Sequence, residues 1–326
     1  MKYTIFGESH GPAIGVVLEG VPAGIQLDMA LIGAELSRRA PGRNKTSTAR
    51  KEADTPEFLS GLLNGVTTGA PLCAVIKNTD TRSGDYEDMK FLPRPSHADY
   101  AAWVKYGGYN DPRGGGHFSG RLTAPLVLAG AVAKQILRPL GVEISSEIAV
   151  LGGVENPTEQ QAEEIILAAK AKGDSVGGAV RCTVSGLKAG LGAPDFGENI
   201  EGEIARALFA IPAVKGVSFG AGFGFANMTG SQANDPFTAE NGVVRTAKND
   251  SGGVNGGITN GMPLVFTAVF RPTPSIAMEQ NTVDLRTMEN ARLTIKGRHD
   301  PCVIPRARPV VEGAAAVAIV DIIQRG

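Results

Sequence analysis

The chain has 326 residues, enough for two ordinary domains or one large one. Its 32 basic and 33 acidic side chains leave a formal charge of −1, which excludes nucleic-acid binding through bulk positive charge, and three scattered cysteines exclude a disulfide framework. No apolar run nears the ~20 residues of a membrane span, and the opening Met1–His10 reaches glycine and acid before any apolar core, so a soluble cytoplasmic protein is expected rather than a secreted or membrane one.

In chain order, Ala13–Leu18 predicts a strand that runs into the Gly-rich turn Glu19–Ile25, followed by a helical pattern over Leu31–Arg39. Residues 38 to 51 then hold six basic side chains and no acid, punctuated by Pro41, Gly42 and Asn44. Pro71–Lys77 predicts a strand and Ala124–Leu137 a buried helix. Pro157, Thr158, Gln161 and Gly173 mark the start and stop of a helix over 159–172. Gly178–Ser185 predicts a strand entering the turn Ser185–Leu191, and Ile200–Phe209 a helix. Pro263–Phe270 predicts a strand, and the Ala-rich Gly313–Ile323 a second buried helix. The two Gly-rich turns lie 166 residues apart, about half the chain. The order predicts two related halves, about 1–150 and 151–326, in one unit without a linker between modules; two copies are too few for a solenoid.

Glycine, at 43 residues, is about twice as frequent as the usual ~7% and clusters beside Arg, Ser and His. All four histidines sit in such segments: His10 in Gly7–Gly11, His97 in Arg94–Asp99, His117 in Gly114–Arg121 and His299 in Gly297–Cys302. Imidazoles in this setting suit proton transfer near neutral pH. No HExxH or CxxC spacing supports a metal site. Arg38, Arg39, Arg43, Lys45, Arg50 and Lys51, with Arg113, Arg121, Arg271 and Arg298, suit a multiply anionic small ligand. Gly114–Gly116 before a helical stretch predicts a backbone anion nest. Ser251–Gly257 reads either as a second such loop or as a tight hairpin.

The motifs Gly7–Gly11, Arg94–Tyr100, Lys105–Gly107, Gly173–Gly178, Ala213–Gly216, Gly230–Gln232 and Gly297–Cys302 together resemble, in order and spacing, the chorismate synthase family over residues 4 to 323. The resemblance implies an α+β fold, a β-α-β sandwich with helices between antiparallel sheets and two pseudo-repeated halves, assembled as a homotetramer. It implies a lyase of the shikimate pathway: trans-1,4-elimination of phosphate from 5-enolpyruvylshikimate 3-phosphate to give chorismate, with reduced FMN and no net redox change. His10 would donate a proton to the departing phosphate, His97 would sit by the flavin, and Asp300 would help the flavin accept the substrate proton. Ser9, Arg39, Lys45, Arg50 and Arg121 would surround the substrate. His117, Phe118, Ser119, Ala213, Gly256, Arg271, Pro272, Thr273, Pro274, Ser275 and Arg298 would contact FMN. No Rossmann fingerprint is present, so reduced flavin is expected from an external source.

Three departures stand out against the resemblance. The family loop Arg-Ser-Ser-Ala-Arg-Glu-Thr reads His117-Phe118-Ser119-Gly120-Arg121-Leu122-Thr123 here, Ser96 stands where glycine is usual, and Lys45 where arginine is common. Lysine keeps the charge but loses the bidentate fork. A flavoprotein that has lost the elimination, and a non-enzymatic binder of anions or nucleic acid using residues 38–51, are the competing readings. The second leaves the four motif-borne histidines unexplained.

Overall fold

The structure is a computed structural model that describes residues 1–42, 52–80, 90–295 and 300–325. Its first half contains β1 (Lys2–Gly7), β2 (Ala13–Glu19), α1 (Met29–Arg39), β3 (Pro56–Ser60), the hairpin of β4 (Leu62–Leu63) and β5 (Val66–Thr67), β6 (Leu72–Lys77), α2 (Asp99–Tyr106) and α3 (Thr123–Leu137). The second contains β7 (Glu143–Leu151), β8 (Val154–Glu155), α4 (Glu159–Ala171), β9 (Gly178–Ser185), α5 (Ile200–Phe209), β10 (Val214–Phe219) and the short α6 (Gly230–Ala233). It continues through three hairpins, β11 (Phe237–Glu240) with β12 (Val243–Thr246), β13 (Val254–Asn255) with β14 (Ile258–Thr259) and β16 (Gln280–Asp284) with β17 (Glu289–Leu293). The strand β15 (Leu264–Phe270) lies between the last two hairpins, and α7 (Ile304–Arg325) ends the chain.

Two antiparallel sheets carry the fold. The first has the order β1-β2-β6-β3 and the second β7-β9-β15-β10, with β8 added beside β7. Strand for strand the order is the same. Alternation explains each inner face: Ile14, Val16 and Leu18 of β2 and Val180, Cys182 and Val184 of β9 are fully buried. The two Gly-rich turns are tied alike. Thr67 Oγ1 accepts from Ile25 N at 2.9 Å and donates to Pro22 O at 2.6 Å, and Thr259 Oγ1 accepts from Leu191 N at 2.9 Å and donates to Lys188 O at 2.7 Å.

The helices α3 and α7 fill the space between the sheets. Each is apolar nearly all round, as a helix buried on every side must be. They cross where Gly130 meets Gly313: a Cβ built on Gly130 would fall 2.2 Å from the Gly313 Cα, so the backbones touch and only glycine fits. The helix α7 starts nine residues before the apolar stretch predicted from sequence and runs through Pro309. The helix α1 is capped by Asp28, whose carboxylate accepts from Ala30 N and Leu31 N at 2.9 and 3.0 Å.

One charged cluster is anchored in this core by a buried carboxylate. Glu312 of α7, 1% exposed, accepts from Arg38 of α1 at 2.6 Å, Lys134 of α3 at 2.6 Å and Ser146 of β7 at 2.6 Å. Burial alone would raise its carboxyl, but Arg38, Lys134 and Ser146 outweigh that and hold it at about 2. Four elements are thereby pinned by one carboxylate.

Candidate active site

A cavity of about 1060 Å3 opens where the loops of the two halves meet. Its wall combines apolar side chains, among them Ile5, Leu126, Val214 and Val310, with guanidinium and imidazole groups from Arg39, Arg121, Arg271, Arg306 and His97.

Arg39 reaches the cavity from the last turn of α1 and is 2% exposed. It donates to Asp54 Oδ2 at 2.8 Å, Thr123 Oγ1 at 3.1 Å and Gly120 O at 3.2 Å. Burial, then the neighbouring Arg306, pulls this guanidinium down to about 9, against the attraction of Asp54, and it stays cationic at neutral pH. Arg121 donates to the other oxygen of Asp54 and, at 3.0 Å, to Asn78 Oδ1, and lies 2.5 Å from Glu52. Asp54 thus bridges both cations. Asn78 also donates to Glu8 O and Gly11 O at 3.0 and 2.8 Å, which holds the Gly7–Gly11 loop beside Arg121.

His97 sits in the loop before α2. Its Nδ1 is 2.5 Å from Asp99 Oδ1, and Arg94 grips the same carboxylate through Nε at 2.7 Å and Nη2 at 2.8 Å. Burial would raise the Asp99 carboxyl, but Arg94 and then His97 hold it well below the usual carboxylate range. The second half clamps this loop: Arg94 donates to Ser275 Oγ at 3.2 Å, and Arg271 donates to Ser96 O. Ser96 has φ +60°, the left-handed conformation that a glycine adopts without strain. Asp300 lines the cavity, held by Arg306, whose Nε also donates to Arg39 O at 2.9 Å.

Gly114, Gly115 and Gly116 all take positive φ, at 60°, 86° and 53°. Gly114 lines the cavity, and a Cβ on it would fall 2.6 Å from His10 Nε2 and 2.9 Å from Ser9 Oγ. Ser9 and His10 therefore pack directly against this backbone. The Ser9 hydroxyl is buried without a hydrogen-bond partner. His117 Nδ1 lies 2.9 Å from Gly7 O and must donate to it, so its proton is placed on that nitrogen.

Of the residues expected from sequence, Arg39, Arg121, His97, His117, Phe118, Ser119, Ala213, Arg271, Thr273, Pro274, Ser275 and Asp300 line the cavity. Pro272 is exposed and off the wall. Gly256 is also off the wall, at the exposed tip of the β13–β14 hairpin, so the Ser251–Gly257 segment contains the tight hairpin of the two readings. Lys45, Arg50 and Arg298, with His299, lie outside the described residues. Sequence reading gave no role to Asp54, Asn78, Arg94, Asp99 or Arg306. Arg94 and Asp99 stand inside a motif already singled out, whereas nothing local marks Asp54 as a partner of two arginines.

A family profile described as chorismate synthase matches residues 1–324. The chain is 48% identical to the chorismate synthase of Thermococcus gammatolerans, over 98% of this chain and 95% of that protein. It is 47% identical to that of Korarchaeum cryptofilum, over 100% of this chain and 96% of that one. A crystal structure titled as chorismate synthase superposes with a TM-score of 0.76 at 28% identity, covering 99% of this chain and 91% of that chain. The chain therefore belongs to the chorismate synthase family.

Proposed function

We propose that this chain catalyses the elimination of phosphate from 5-enolpyruvylshikimate 3-phosphate to give chorismate, with reduced FMN held in the cavity. The observation that carries this reading is the cavity itself: it has room for a flavin beside a small substrate, and the arginines that line it match a phosphate and two carboxylates. Its residues also fit a flavin. Thr273 lines the cavity with a buried hydroxyl that has no hydrogen-bond partner, as a site built to receive a polar ligand edge would have. Reduced FMN, when bound, supplies transient electron density while the carbon–oxygen bond to phosphate breaks.

Arg39 and Arg121 hold the anionic groups of the substrate, assisted by Lys45 and Arg50. Their bond to Asp54 fixes both guanidinium planes before substrate arrives, which lowers the cost of ordering them. His10 gives a proton to the departing phosphate oxygen, and Ser9 adds a hydrogen bond there. Gly114 carries no side chain that would block this path. His97 holds a proton at the cavity wall. Asp300, steadied by Arg306, assists the removal of the proton from the substrate carbon. The residues His117, Phe118, Ser119, Ala213, Gly256, Arg271–Ser275 and Arg298 form the flavin's surroundings. The halves about 1–150 and 151–326 are copies of one unit, as the matched roles of Thr67 and Thr259 suggest.

Reduced flavin comes from an external donor, and the enzyme works as a cytoplasmic homotetramer. No helix among the described residues is long and apolar enough to cross a membrane. The test is an anaerobic assay with the phosphorylated substrate, following chorismate and free phosphate with reduced and with oxidised FMN. Product with reduced flavin alone is expected, and His10→Ala should lose turnover while retaining flavin. No product from folded, flavin-binding protein would refute the reading and favour the flavoprotein without elimination activity.

A further inference from the structure

His97 has two ring nitrogens, and the structure treats them differently. Nδ1 faces Asp99 Oδ1 at 2.5 Å and lies 3.0 Å from Arg94 Nη2. At 2.5 Å from a carboxylate oxygen, an unprotonated nitrogen would set two lone pairs against each other. Nδ1 must therefore carry the proton and donate it to Asp99. Arg94 donates to the same carboxylate through its backbone N–H, its Nε and one Nη2 hydrogen, so Asp99 cannot turn away. The opposite edge of the ring faces Gly115: a Cβ there would lie 3.2 Å from His97 Nε2. The glycine leaves that nitrogen open.

We propose that Asp99 is a positioning residue. By accepting the Nδ1 proton of His97 it confines the exchangeable proton and lone pair to Nε2, the nitrogen on the Gly115 side, and Arg94 holds Asp99 in place. The role rests on the reading of His97 given above. A plain structural alternative exists, since Asp99 is the first residue of α2, where an acid favours the helix dipole. That alternative places no demand on which nitrogen of His97 is protonated.

The test uses full-length protein with 15N-labelled histidine, whose four imidazoles give a simple two-bond proton–nitrogen spectrum. The His97 signals are identified by their loss in His97→Asn. In the wild type, the neutral His97 ring is expected to be protonated at Nδ1. In Asp99→Asn, Arg94 claims the amide oxygen, so the amide NH2 turns to Nδ1 and the proton moves to Nε2. Turnover should fall about 100-fold with little change in KM. In a His97→Asn background, adding Asp99→Asn should cost less than about threefold, because a positioning residue has nothing left to position.

A wild-type ring protonated at Nε2 would overturn the proposal whatever the activities. So would full, multiplicative losses in the double variant, which mean that Asp99 acts independently of His97. A fully active Asp99→Asn beside a slow His97→Asn would overturn the positioning role alone. A fully active His97→Asn would overturn the part played by His97, and this role with it.

Discussion

The buried carboxylate of Glu312 makes the fold acid-sensitive in a way that can be measured. Its carboxyl is held at about 2, against an ordinary value near 4.5. A group whose folded value is depressed stabilises the fold above its unfolded value, and that contribution disappears as pH falls towards the folded one. The difference corresponds to about 3 kcal/mol, fully present above ~pH 5, roughly half lost by ~pH 3 and gone below ~pH 2. Glu312→Gln removes the titration and leaves the half-buried Arg38 and Lys134 with Glu35 as their remaining countercharge, at a cost of about 3 kcal/mol near neutrality. Urea unfolding of both proteins, at fixed chain concentration between ~pH 7 and ~pH 3, reads the effect. The wild type should lead by the larger margin at ~pH 7, and the margin should narrow by about 2 kcal/mol by ~pH 3. A margin that stays constant across this range would refute the argument, because the stabilisation would then not depend on ionised Glu312.

Glycines should separate sharply by surroundings. Gly130→Ala forces a methyl into the backbone of α7 and should destabilise by about 2–4 kcal/mol, read as a lower urea midpoint. Gly33, in α1, has nothing within 4 Å of where its Cβ would lie, so Gly33→Ala should stabilise by about 0.5–1 kcal/mol through helix propensity alone. Asp54→Asn should cost about 3–5 kcal/mol by leaving Arg39 and Arg121 short of countercharge, and should also weaken substrate binding. A thermal-melt loss below about 1 kcal/mol would mean that Glu52 carries both cations.

The two central strands of each sheet and the two buried helices were legible because burial writes a pattern into local sequence. Ile14, Val16 and Leu18 announce β2, and the unbroken run Ala124–Ala133, free of charged and hydrogen-bonding side chains, announces α3. The β11–β12 and β16–β17 hairpins were not legible. Their faces are largely exposed, so Phe237 and Val243 alternate with nothing. At the site, motif histidines and arginines stood out as residue types. Their partners did not: Asp54 meets Arg39 and Arg121 across 15 and 67 residues of chain, and Arg306 follows Asp300 by one helical approach that spacing does not reveal. The close packing of His10 and Ser9 against Gly114 depends on three consecutive glycines of positive φ, which the sequence presents only as a Gly-rich loop.

The clamp on the His97 loop has a consequence for how the protein is made. Arg94 reaches Ser275 across 181 residues, and Arg271 reaches Ser96 across 175. Closing a loop of that length costs about 4–5 kcal/mol in chain entropy before either bond can form. Each sheet, by contrast, pairs strands far closer in sequence. During synthesis the first sheet can assemble while the second is still being translated, but the cleft cannot exist until β15 and the segment after it emerge. Newly made chains should therefore acquire secondary structure well before they acquire any capacity to bind anions. A truncation after α5 would retain the first half and have no cleft at all.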